Sequence, residues 1–115
     1  MSKTESTDSS KQLYQTLKKG AKHLFDVPVG SNLVPVYETR KVGQEPVNSF
    51  GLAICHPTYA VFLDSDPDIP KKSKRQTLLH ELIHIIDDVY TLGLDETAVR
   101  VLENALWQVL KTRKL

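Results

Sequence analysis

Cysteine is nearly absent from this chain. Cys55 is the only one, which excludes an intramolecular disulfide and fits a reducing compartment. Long hydrophobic runs are absent as well. No segment approaches the roughly 20 apolar residues of a membrane-spanning helix, and the first residues lack the apolar stretch of a secretory signal. Neither sign of charge prevails: 15 Lys and Arg stand against 14 Asp and Glu, a net charge of +1. That is far from the basic excess of a dedicated nucleic-acid binder. No segment repeats another. The expectation is a cytoplasmic protein of one domain, with no membrane partner and one modest core for its 115 residues.

What is present is patterned. Met1 to Ser10 is polar and rich in Ser and Thr, with too little apolar surface to offset the entropy of ordering, so residues 1–10 are expected as a flexible tail ahead of a domain over 11–115. Ser9 or Ser10 can cap a helix on which Leu13, Tyr14, Leu17, Ala21, Leu24 and Phe25 recur at helical spacing. Pro28 and Gly30 would end it. Leu33 to Glu38 reads as a strand, with Pro35 marking an edge or a bulge. A loop follows from Lys41 to Pro46. Phe50 to Cys55 and Tyr59 to Leu63 are short apolar runs separated by His56-Pro57-Thr58, a hairpin pattern. Asp64 to Pro70 is loop.

The strongest helical pattern runs from Ser73 to about Tyr90. Leu78, Leu79, Leu82, Ile83, Ile85, Ile86 and Val89 build its apolar face, while His80, His84, Asp87 and Thr91 fall on the other. Gly93 is a natural stop. Asp95 can cap a last helix from Glu96 to about Lys111, striped by Val99, Leu102, Leu106, Val109 and Leu110. A helix, three strands in a small antiparallel or mixed sheet, and two helices make an α+β pattern.

The run His80-Glu81-Leu82-Ile83-His84 carries the chemistry. Residues four apart stand one above the other on a helix, so His80 and His84 can aim two imidazoles at one ion. Zn2+ binds neutral imidazole nitrogen at about 2.0–2.1 Å. Glu81 is rotated to the side. In HExxH helices a carboxylate there reaches a zinc-bound water, takes its proton and passes it to a leaving amine. The competing reading is a solvated helix face that happens to hold two histidines and a glutamate. The broad apolar face of this helix argues against it, because it anchors the motif in the core as a rigid site requires.

A catalytic zinc needs a third protein ligand and one open position. No histidine follows His84, which excludes the HExxHxxGxxH pattern, and His23 and His56 lie upstream. The carboxylates of the last helix are better candidates. Glu96 and Glu103 share a face but lie about 10 Å apart along the axis at 1.5 Å per residue, so one ion cannot easily take both. The short turn from Thr91 to Asp95 makes the two helices nearly antiparallel. Glu96 then sits beside the His84 end, and Glu103 level with the start of the metal helix, within reach of Lys74 or Arg75. Geometry leaves both open.

The segment Thr77-Leu-Leu-His-Glu-Leu-Ile-His-Ile-Ile-Asp87 resembles the metal helix of small phage- and prophage-encoded metallopeptidase-like proteins, grouped with the ImmA/IrrE-type family of gluzincins. Gly51 to Asp64 looks like the strand pair that precedes the site in those proteins. Leu94-Asp95-Glu96, followed by Val99, Leu102 and Leu106, looks like their closing helix, which opens with the third ligand. The likeness covers roughly the C-terminal two-thirds of the chain. It implies a minimal zincin-like fold, zinc held by His80, His84 and Glu96, Glu81 as base, and a protein or peptide substrate cleaved in the host cytoplasm. One departure is Val99-Arg100-Val101-Leu102, which stands where such proteins commonly continue Ala-rich.

Other residues have a functional and a structural reading. Asp87 or Asp88 could hydrogen-bond a ligand imidazole, or be helix-surface charge. Tyr59, Tyr90 and His56 are candidate donors to an oxyanion, or packing and turn residues. Cys55 is the kind of small hydrophobe a core takes. Asp64, Asp66 and Asp68 alternate as in a calcium loop but lack its glycine and closing glutamate. Lys71, Lys72, Lys74 and Arg75 form a basic cluster, either a solvated face or a contact for an acidic partner or nucleic acid. Two alternatives to a peptidase follow. One is a regulator that binds a host or phage protein and keeps zinc for structure. The other is a nucleic-acid-associated factor using the basic cluster and the tail Lys111-Thr112-Arg113-Lys114. In the peptidase reading, the strand Tyr59 to Leu63 would take an extended substrate by strand addition.

Overall fold

Gly20 decides where the first helix ends. In the computed structural model, which describes residues 3–113, Gly20 has φ +78°, a conformation glycine reaches without steric cost. The helix α1 (Lys3–Lys18) stops just before it. The spacing of Leu24 and Phe25 predicts that this helix runs on; instead Lys22–Val29 is a strand, β1. Gly30, at φ +61°, turns the chain into β2 (Asn32–Glu38), which pairs antiparallel with β1. A register shift between His23 and Phe25 forms a bulge, and Leu24 packs on the core with Val27 and Val29. Facing valines of β2, Val34 and Val36, complete that face, so strand pairing buries more than a helical continuation would. At its other end α1 takes in Lys3 to Ser10, expected as tail. Polar side chains do not stop a helix from propagating outward from a packed turn. Met1 and Ser2 lie outside the described residues, as do Lys114 and Leu115.

The expected hairpin is present as β3 (Gly51–Ile54) and β4 (Ala60–Leu63), paired antiparallel. β4 also pairs in parallel with β2, so the sheet is four-stranded and mixed, in the order β1-β2-β4-β3. All four residues of β4 are buried, as a strand covered on both faces requires. Val61 and Leu63 join the core on one side of the sheet, Ala60 and Phe62 that on the other. The second core is filled by Leu13, Tyr14 and Leu17 of α1, with Tyr37 stacked on Phe62 at 5.1 Å. Pro35 lies in an interior strand, but the ladder with β4 begins only at Val36, so on that side β2 is an edge where Pro35 sits. Interior placement also removes β4 as the strand for substrate addition. The strand at that end of the sheet is β3.

The helix α2 (Lys71–Tyr90) lies on the first core, with Ile85 fully buried and Leu78, Leu82 and Val89 against it. Thr91 closes it in the left-handed region at φ 53°, its N–H reaching back to Asp87 and Asp88 carbonyls. Asp87 also accepts from Leu94 N–H at 3.0 Å, which holds the turn. Asp95 caps α3 (Glu96–Arg113) by accepting from Ala98 N–H at 2.7 Å, as its position before Glu96 predicts. α3 packs chiefly on α2. Only Val99 of its expected stripe is fully buried, while Leu102, Leu106 and Val109 stay exposed. Among the described residues no helix is long and apolar enough to cross a membrane.

Candidate metal centre

The helical repeat puts His80 and His84 on one face of α2, and their Nε2 atoms lie 3.2 Å apart. The turn that folds α3 back brings Glu96 over both. Its Oε1 is 3.4 Å from His80 Nε2 and its Oε2 is 3.6 Å from His84 Nε2. The three residues form a group whose ligand atoms all lie within 4.8 Å of one another. Bonds of about 2.0–2.1 Å at tetrahedral angles place neighbouring donors about 3.3–3.4 Å apart. The Nε2–Nε2 and Nε2–Oε1 separations lie near that value, and the 3.6 Å contact runs to the second carboxylate oxygen, so the group could hold a single ion.

Glu103 stands on the far side of His80. Its Oε1 is 2.7 Å from His80 Nδ1, and Gln76 Nε2 donates to its other oxygen at 2.8 Å. An ionised carboxylate only accepts, so the Nδ1 proton belongs to His80. An imidazole that donates only from Nδ1 presents a lone pair at Nε2, the nitrogen that here faces Glu96 and His84. The expectation that Glu103 meets Lys74 or Arg75 is not met; Lys74 pairs with Glu38 at 3.6 Å. Sequence reasoning offered Glu103 as a competing ligand and missed this orienting contact. Its only trace in the sequence is the shared face of Glu96 and Glu103, which says nothing of helix offset.

Glu81 lies against β3, where the backbone of Ala53 hydrogen-bonds it. Gly51 lets the strand come this close: a Cβ there would meet Thr77 Cγ2 at 2.5 Å and Glu81 Cγ at 3.4 Å. Burial pushes the Glu81 pKa above the usual carboxylate value; His80 and the Ala53 contact pull it down, and Glu96 and Glu103 push it up again. A carboxyl raised toward neutrality suits proton transfer. Hollows open on both sides of Glu81. One of about 420 Å³ is lined by Phe50, Gly51, Thr77, His80 and Arg100. The other, of about 400 Å³, is lined by Leu52, Ala53, His84, Asp87 and Asp88.

Asp87, Asp88 and Tyr59 make structural contacts. Asp88 accepts from the Tyr59 hydroxyl at 2.8 Å, a bond that, with burial, pushes the Tyr59 pKa up to about 12. Asp87 holds the interhelix turn. Neither aspartate contacts His80 or His84 through any of these bonds. Tyr90 is exposed beside Gly30, His56 is exposed at the hairpin turn, and Cys55 packs against the core. Asp64 and Asp66 both pair with Arg40, at 3.0 and 2.9 Å, and each also accepts a backbone N–H two residues on. That makes the alternating aspartates a braced loop. His23 pairs with Asp26 at 2.8 Å, away from the site.

Comparison with protein-family models, with curated proteins and with solved structures gives no match to this chain.

Proposed function

We propose that the chain is a zinc-dependent peptidase in which His80, His84 and Glu96 hold the metal and Glu81 is the general base. The observation that carries this reading is the gathering of two Nε2 atoms, 3.2 Å apart, under one carboxylate, whose Oε1 lies 3.4 Å from His80 and whose Oε2 lies 3.6 Å from His84, within the reach of one zinc ion. Three protein ligands and a free direction are the pattern of a catalytic site; structural zinc is commonly closed by four. A zinc ion held there supplies a Lewis acid that polarises a carbonyl and acidifies water.

The chain's own groups supply the rest. Glu103 holds His80 in the tautomer and orientation that binding needs. Glu81, half-sheltered between α2 and β3, accepts a proton from the attacking water and returns it to the leaving amine. β3 is the end strand of the sheet, and an extended peptide added along it would pass Glu81. The resemblance of residues 77–87 to ImmA/IrrE-type metallopeptidases points the same way.

The test joins metal content to turnover. Elemental analysis is expected to find about one zinc per chain, from the three-ligand set, and a His80→Ala, His84→Ala double variant to lose it. Glu81→Gln is expected to keep zinc and lose cleavage of a mixed peptide library by at least about a hundredfold. Zinc retained by the double variant would place the metal elsewhere. Zinc without cleavage in the parent protein would move the reading to a regulator with structural zinc.

A further inference from the structure

α3 is covered by α2 on one face and leaves Leu102, Leu106 and Val109 exposed beside it. Between the two helices, beyond the candidate metal centre and sharing no residue with it, runs a groove of about 430 Å³. Its floor is Leu78, Leu79 and Leu82 of α2 with Trp107 and Leu110 of α3. Its rim is Lys72, Arg75 and Lys111, all exposed, and no carboxylate lines it among the described residues. The pairings of His84 with Glu96 and His80 with Glu103 make the helices antiparallel. The start of α2 therefore lies by the end of α3, and the three cations gather at one end of the groove. Toward the other end the apolar surface continues along both helices. Ile86 follows Leu79 and Leu82 by seven and four residues; Leu106 and Leu102 precede Leu110 by four and eight. All three stay exposed, by 37, 42 and 38%. From Lys72 to Ile86 the trough runs about 20 Å at 1.5 Å per residue.

We infer that this trough is a docking site for an acidic amphipathic helix of a partner protein. The trough has the form a third helix needs. Two antiparallel helices about 8–10 Å apart leave between them a groove into which a row of side chains packs, and an apolar face of three to four turns covers its length. The charge selects the occupant: Lys72, Arg75 and Lys111 complement carboxylates flanking that row and repel a basic helix. Shape argues against a single acyl chain. The trough is open along its length, so a lone chain would keep much of its surface in water, whereas a helix buries one face and leaves the other solvated.

Trp107 is the chain's only tryptophan and lies in the groove, so it reports occupancy directly. Two synthetic helical peptides share a Leu row at i, i+3, i+4 and i+7; one carries Glu on its flanks and the other Lys. The acidic peptide is expected to shift Trp107 emission to the blue with saturation, and to bind more weakly as salt rises. A Lys72→Glu, Arg75→Glu, Lys111→Glu variant, whose changes are all at exposed positions, is expected to bind it at least tenfold more weakly and to gain affinity for the basic peptide. Absence of a saturable shift with the acidic peptide would overturn the inference. Equal response to both peptides, or a response only to vesicles of anionic phospholipid, would do the same, the last by assigning the trough to a membrane surface.

Discussion

Glu96 and Glu103 meet His80 at different nitrogens, a distinction that the sequence leaves open. Both lie on one face of α3, yet one approaches the Nε2 side of His80 and the other its Nδ1 side. In the metal reading, removing charge from each has a different consequence. Glu96→Gln takes away a ligand and is expected to weaken zinc binding by more than about a hundredfold; Glu103→Gln only loosens the orientation of His80, a loss of about tenfold in the usual range for such partners. Zinc affinities measured by competition with a chelating dye decide the order, and a larger loss for Glu103 would reverse the assignment. At this scale the geometry of the histidine pair was legible: spacing of four on a helix puts both imidazoles on one face, and their Nε2 atoms lie 3.2 Å apart. The part Glu103 plays was not, because it depends on how far α3 slides along α2, and periodicity within one helix carries no information about that offset.

The elements that read clearly are those whose periodicity and boundaries agree. α2 and α3 have long apolar rows, and Asp95 stands at the cap it was expected to fill. The β3–β4 hairpin is bounded by turn residues on both sides. β1 was missed because Leu24 and Phe25 happen to continue the helical spacing of Leu17 and Ala21. Gly20 and the alternation of Val27 and Val29 were the competing signals, and they won because β2 offered a valine face to pair with. The α2–β3 contact is set by a single atom's worth of room. Gly51→Ala would drive a methyl to within 2.5 Å of Thr77 Cγ2, so strand and helix must separate, carrying Glu81 with them. If Glu81 is the base, this variant is expected to lose cleavage about tenfold to a hundredfold, as misplacements near 1 Å do, while keeping zinc. Unchanged turnover would mean that the α2–β3 distance does not position the base.

Across the whole molecule, the sheet and the candidate site are held by different means. β4 is locked between two cores, whereas α3 rests chiefly on α2 and carries both site carboxylates on that contact. In the zinc reading a ligand that binds only the folded arrangement stabilises it by mass action, and most of that gain falls on the least anchored part. Stripping metal with a chelator is therefore expected to speed amide hydrogen exchange along α3 at least tenfold and leave β4 unchanged. Uniform acceleration would show that α3 does not open apart from the rest. The strand order has a consequence for the growing chain. β1 and β2 can pair as soon as they leave the ribosome, but the strand that belongs next to β2 lies beyond the whole segment from Thr39 to Tyr59 and arrives as the second arm of its own hairpin. Until residue 63 has emerged and that long loop has closed, the nascent hairpin offers other chains an uncovered flank with Val34 and Val36 beside it. Until β4 slots into place that flank is open to pairing with other chains, and its valine face stays bare until α2 arrives.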